Sequence, residues 1–140
     1  MALTVVFDTN ILFSATGWRG RPYQCVELAR TGKIEAVSCA HIMDELSEKL
    51  AAKLAFSPDQ AAETLADYLG FIPLVDIAGT LDSTVRDPED NAVLECALTA
   101  CARFLITGDE DLLVLGTFQG VEIVRVAEFL RRWQAGEIKE

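Results

Sequence analysis

Five short apolar runs, each too short for a helix and separated by amphipathic stretches, restrict the fold more than any other feature. They are Leu3-Thr4-Val5-Val6-Phe7, Ile34 to Ser38, Phe71 to Ile77, Phe104-Leu105-Ile106-Thr107 and Val121 to Val126. A strand that is apolar along its length is covered on both faces, which is the situation of a parallel sheet with helices packed on either side. The segments between them carry helical signals. Gly17, Gly20 and Pro22 break the stretch after Asp8-Thr9-Asn10, and Tyr23 to Arg30 resumes it until Gly32. From Ala40 to Leu54, the residues Ile42, Met43, Leu46, Leu50 and Leu54 recur on one helical face. Ser57 is a cap and Pro58 a first-turn residue for a helix to about Leu69; further helices are expected over Asp90–Cys101 and from Ala127 to about Gln134. The expectation is an α/β fold, a single domain over 1–140 with three layers (α/β/α) and a mainly parallel central sheet. A chain of 140 residues that is 51% apolar suits one core, and no repeat or linker divides it.

Charge and cysteine usage narrow the function. Twelve Lys and Arg against 22 Asp and Glu give a net charge of −10, which argues against holding nucleic acid by a basic surface alone. The charge is polarised: residues 82–111 carry eight acids and two bases, whereas residues 1–39 carry three acids and four bases. No apolar run approaches the 18 or so residues of a membrane helix, and Met1-Ala2-Leu3-Thr4 has no basic leader, so the chain is expected to be cytoplasmic with no membrane partner. Cys25, Cys39, Cys96 and Cys101 lack C-x-x-C spacing and are expected to be buried, reduced thiols.

In open parallel sheets ligands bind outside the carboxyl ends of the strands. Asp8 closes the first run there; Asp109 follows Phe104–Thr107 after one glycine, with Asp111 two further on. Each is also a good helix N-cap, so capping competes with chemistry. Asp87, ahead of Pro88, has the stronger capping signature. Asp90 lies in line with Leu94, Ala97 and Cys101, the core-facing stripe of its own helix. An inward carboxylate without a cation costs several kcal/mol unless a metal or hydrogen bonds satisfy it. Glu45 lies off the Ile42/Leu46/Leu50 stripe and has an ordinary i,i+4 partner in Lys49, so periodicity alone does not bring it to a site.

Carboxylates gathered at one sheet edge suit Mg²⁺ or Mn²⁺, and such ions support phosphodiester hydrolysis while offsetting the acidic surface. Other chemistries lack parts. His41 is the one histidine, a helix-start residue with no assigned role, and no G-x-S-x-G or phosphate-binding glycine loop is present. Trp18-Arg19-Gly20-Arg21 is a small basic-aromatic loop, weak evidence for an RNA contact through Trp18, Arg19 and Arg21 and more simply read as an ordinary exposed loop.

The order of Val5-Val6-Phe7-Asp8-Thr9-Asn10, Glu45-Leu46, Asp90-Asn91-Ala92-Val93-Leu94 and Leu105-Ile106-Thr107-Gly108-Asp109-Glu110-Asp111-Leu112-Leu113 resembles the PIN-domain family of metal-dependent nucleases, especially the VapC-like toxins of prokaryotic toxin–antitoxin pairs. The resemblance spans nearly the whole chain. It implies an acidic quartet at Asp8, Glu45, Asp90 and Asp109 with Asp111 beside it, Mg²⁺ or Mn²⁺ as cofactor, endoribonuclease activity, a homodimer and an antitoxin partner. Asp87 competes with Asp90 for the third position. Thr9, Asn10 and Thr107 would orient water or phosphate. Two other classes stay open: a non-catalytic acidic interaction module of the same fold, and a phosphatase using Asp8 as nucleophile, which is short of a general acid because Asn10 stands two positions on.

Overall fold

The computed structural model describes residues 3–81 and 87–138; Asp82 and Arg86 of the acidic segment lie outside them, as does the start of the N-terminal stretch at Met1-Ala2. The chain runs β1 (Thr4–Phe7), α1 (Thr9–Gly17), α2 (Arg21–Arg30), β2 (Glu35–Ala36), α3 (Ala40–Leu54), α4 (Pro58–Leu69), α5 (Pro88–Thr99), β3 (Phe104–Ile106), α6 (Glu110–Leu113), β4 (Thr117–Phe118), β5 (Val121–Val124) and α7 (Val126–Gln134). The strands form one sheet in the order β2-β1-β3-β5-β4, parallel except for β4 on β5. Consecutive residues of the central strands, Val5-Val6-Phe7 and Phe104-Leu105-Ile106, are all buried, which requires cover on both faces. Helices supply it: α5 lies against β1 and β3, α1 packs on α2 and α3, and α7 docks on α2 and on the sheet, where its Phe129 meets Phe104 of β3 edge-on at 5.3 Å. The three-layer α/β/α expectation holds.

Local chemistry sets the boundaries. Ser57 and Gln60 form a reciprocal capping box at the start of α4, with bonds of 2.8 and 3.1 Å, as Ser57-Pro58 predicted. Two expectations need correction, and one element is new. Phe71 to Ile77 is not a strand: after α4 it makes a single parallel bridge just beyond β2, Ser38 with Leu74, because Pro73 offers a carbonyl to Ser38 but has no N–H to extend a ladder. Cys101 is exposed, not buried, and leaves the Leu94–Ala97 stripe. The helix stops at Thr99, and Cys101 takes φ 52° while its amide bonds Leu98 O and that of Ala102 bonds Ala97 O, closing a left-handed helix end. The sheet also gains β4, a hairpin partner of β5 that the apolar runs did not reveal. Its two-residue turn, Gln119-Gly120, has φ of 47° and 88°, the doubly left-handed geometry that matches strand twist.

Candidate metal centre

Asp8 and Asp109 stand at the carboxyl edge of neighbouring strands because β1 and β3 pair in register, Phe7 opposite Ile106. The Asp8 amide donates to Ile106 O at 3.0 Å, holding the residue to the sheet as the chain turns into α1. Its carboxylate, 5% exposed, accepts the Thr9 amide on Oδ1 and the Thr107 hydroxyl on Oδ2, each at 2.7 Å. Thr107 is fully buried and accepts the Asp109 amide at 3.0 Å, and Asp109 Oδ1 in turn accepts the Asp111 amide at 2.8 Å. Asp8 and Asp109 are therefore helix caps as well as neighbouring acids at one sheet edge. The two readings coexist because each carboxylate oxygen offers two lone pairs.

Asp90 enters from α5. It is 7% exposed, and its Oδ2 is buried without a hydrogen-bond partner. One ligand oxygen from each of Asp90, Asp109 and Asp111 lies within 4.8 Å of the others. Asp87 behaves differently: it is exposed and caps α5 by accepting the Glu89 amide at 3.0 Å.

Electrostatics tie Asp8 and Glu45 to the same place. Burial raises the Asp8 pKa, against the lowering effect of the Thr107 and Thr9 bonds, and the charges of Glu45 and Asp109 raise it further. Burial, then the charges of Asp109, Asp8 and Asp87, push Asp90 up to about 7. A hydrogen bond and the charge of Glu45 raise Glu89, an acid the sequence reading passed over. Glu45 thus lies near enough to act on Asp8 and Glu89 although it is off the buried stripe of α3, but it is not among the three acids whose ligand oxygens lie within 4.8 Å of one another. No ion pair joins it to Lys49, whose ammonium instead donates to Asn10 Oδ1 at 2.5 Å.

The other candidates lie apart or have other partners. Thr9 Oγ1 is buried and unpartnered, while Asn10 is exposed. Trp18, 58% exposed, packs on Phe13, and Arg19 sits 4.3 Å over the Tyr23 ring; Arg21 begins α2. The nine residues of α1 carry this loop away from Asp8 by about 13 Å of helix, so the structure does not bring it to the acids. The His41 Nε2 atom is buried without a partner beside the acidic edge, its charge opposing the rise at Glu89.

The donor set is all oxygen, mostly carboxylate, mutually repulsive and short of one partner at Asp90 Oδ2. A hard divalent cation such as Mg²⁺ or Mn²⁺ fits that chemistry on every count.

Comparison of the sequence with curated proteins finds no match. Among solved structures, a chain of VapBC2 from Rickettsia felis, crystallised bound to a DNA fragment from their promoter, has a similar fold: 14% identity, TM-score 0.65, covering 88% of this chain and 98% of that one. The family described as PIN domain matches residues 4–111, a span containing Asp8, Glu45, Asp87, Asp90, Asp109 and Asp111. The chain belongs to the PIN domain family.

Proposed function

We propose that the chain is a metal-dependent endoribonuclease that hydrolyses RNA phosphodiester bonds with water as nucleophile, and that it is the toxin of a toxin–antitoxin pair. The observation that carries the reading is the unpartnered Oδ2 of buried Asp90, set among the carboxylates of Asp109 and Asp111 with Asp8 alongside. Asp8, Glu45, Asp90, Asp109 and Asp111 would hold Mg²⁺ or Mn²⁺. Such an ion, when bound, supplies a Lewis acid for the phosphate and a water of lowered pKa. Thr107 fixes the Asp8 carboxylate, and Thr9 Oγ1 keeps an unused hydroxyl next to it. The phosphatase alternative loses ground, since Asn10 is an amide held by Lys49 and cannot donate a proton to a leaving group.

The similar Rickettsia felis structure is of a VapBC2 complex. By extension we propose an antitoxin protein as partner, a homodimer, and action in the cytoplasm; among the described residues no helix is long and apolar enough to cross a membrane. The test is cleavage of RNA by purified protein with Mg²⁺ or Mn²⁺. Activity that stops with chelator and leaves 5′-phosphate and 3′-hydroxyl ends is expected; cleavage persisting in excess EDTA, or 2′,3′-cyclic phosphate products, would overturn the mechanism.

A further inference from the structure

On α3, His41, Glu45 and Lys49 follow at four-residue spacing and so form one line on the helix surface. Helix α3 packs on α1 and α5, which Asp8 and Asp87 open, and this line acts on the acids there: Glu45 on Asp8 and Glu89, and His41 on Glu89. Lys49 continues it one turn further, about 6 Å along the helix. There its ammonium meets Asn10, two residues after Asp8 at the start of α1.

Lys49 is only partly buried, and beside so many acids a lysine would ordinarily pair with one. It forms no ion pair with any described carboxylate and bonds to a neutral amide. An ammonium has three N–H donors and only one is directed at Asn10. With Oδ1 turned to the ammonium, the Asn10 amide presents its NH₂ group, and the residue is exposed. The rim beyond Glu45 is therefore a patch of donors adjoining a cluster made only of acceptors.

We propose that Lys49 and Asn10 seat a phosphate of the RNA strand next to the one being cleaved. The inference rests on the nuclease reading and adds to it the group that holds the strand on an acidic protein. A phosphodiester presents acceptor oxygens and a negative charge, which suits an ammonium point charge with an amide N–H beside it. A lysine serving only to neutralise the cluster would bear on the metal-free fold and on metal affinity, with no specific effect on how salt competes with RNA.

The experiment measures kcat/KM for cleavage of a random-sequence pool of single-stranded RNA oligonucleotides of one length, in Mn²⁺, over a range of NaCl concentrations. Thermal melts and Mn²⁺ calorimetry accompany each variant. For Lys49→Met we expect lower kcat/KM, retained Mn²⁺ binding, and a slope of log kcat/KM against log salt shallower by about 0.7, the value for one lost phosphate contact on a single strand. Lys49→Arg should keep the wild-type slope, and Asn10→Ala should lower kcat/KM without altering it, since no charge is removed. Lys33→Met, an exposed lysine just before β2 at the other edge of the sheet, controls for net charge and should leave the slope unchanged. Wild-type cleavage with an unchanged slope in Lys49→Met overturns this inference alone; absence of any RNA cleavage by the wild type overturns it together with the nuclease reading.

Discussion

The Thr107 hydroxyl donates to Asp8 Oδ2 at 2.7 Å from a fully buried position. The same oxygen accepts the Asp109 amide, so its proton is committed to Asp8. Thr107 thereby joins the ends of two adjacent strands and orients the first carboxylate. Replacing it with isosteric valine should cost about 1–3 kcal/mol of stability, because a buried carboxylate oxygen and a backbone N–H both lose a partner. Denaturant melts in EDTA check the cost and Mn²⁺ calorimetry the expected loss of affinity; Thr107→Ser should restore both.

Asp90 and Asp87 should separate cleanly. Asp90→Asn removes a charge from a crowded, buried cluster, so the metal-free protein should melt at a higher temperature while the stabilisation from millimolar Mn²⁺ largely disappears. Asp87→Asn should change little in either measurement, since asparagine caps a helix about as well as aspartate. An equal loss of the Mn²⁺ response in the two variants would bring Asp87 into the site.

The raised pKa values fix the sign of a pH effect. Asp90 titrates near 3.8 when unfolded and about 7 when folded, so between those values the folded chain binds more protons and stability falls as pH rises. Asp8 shifts in the same direction. In EDTA the melting temperature should therefore drop from pH 5 to pH 8, and Asp90→Asn should flatten the trend. Saturating Mn²⁺ should oppose it, because the ion binds the deprotonated carboxylates.

Glu95 makes a prediction away from the cluster. Its buried carboxylate accepts the amides of Gly79 and Leu81, each at 2.8 Å, and these backbone bonds, led by Leu81, lower its pKa. Glu95→Ala should destabilise the fold by about 1–3 kcal/mol by orphaning both amides. Limited proteolysis should then cut faster near Gly79–Leu81, and unchanged cleavage would mean that Glu95 does not hold this segment.

Much of this was legible because burial on both faces leaves a simple pattern: β1, β3 and β5 are apolar runs, Asp8 follows the first directly and Asp109 follows the second after Thr107-Gly108. The inward direction of Asp90 followed from its helix wheel. Glu45 did not, because its position depends on how α3 packs on α1 and α5, which no local period encodes; the family resemblance carried it. Lys49 was hidden for the opposite reason, since a partner four residues away on its own helix accounted for it without reference to Asn10. The segment after α4 misled because apolar content says nothing about available N–H groups, and Pro73 decides that. The β4 hairpin was too short for a period, and Gln119-Gly120 is a weaker turn signal than Asn-Gly.

The two borders of the sheet have a consequence for the protein in a crowded cell. An outermost strand with a long row of free amides is a template on which other chains can stack. Here β2 and β4 are each two residues long, and beyond β2 the amide of Ser38 is already taken by the Pro73 carbonyl. Neither border offers a run long enough to nucleate fibrillar growth, so even at high concentration the folded chain should resist edge-to-edge aggregation.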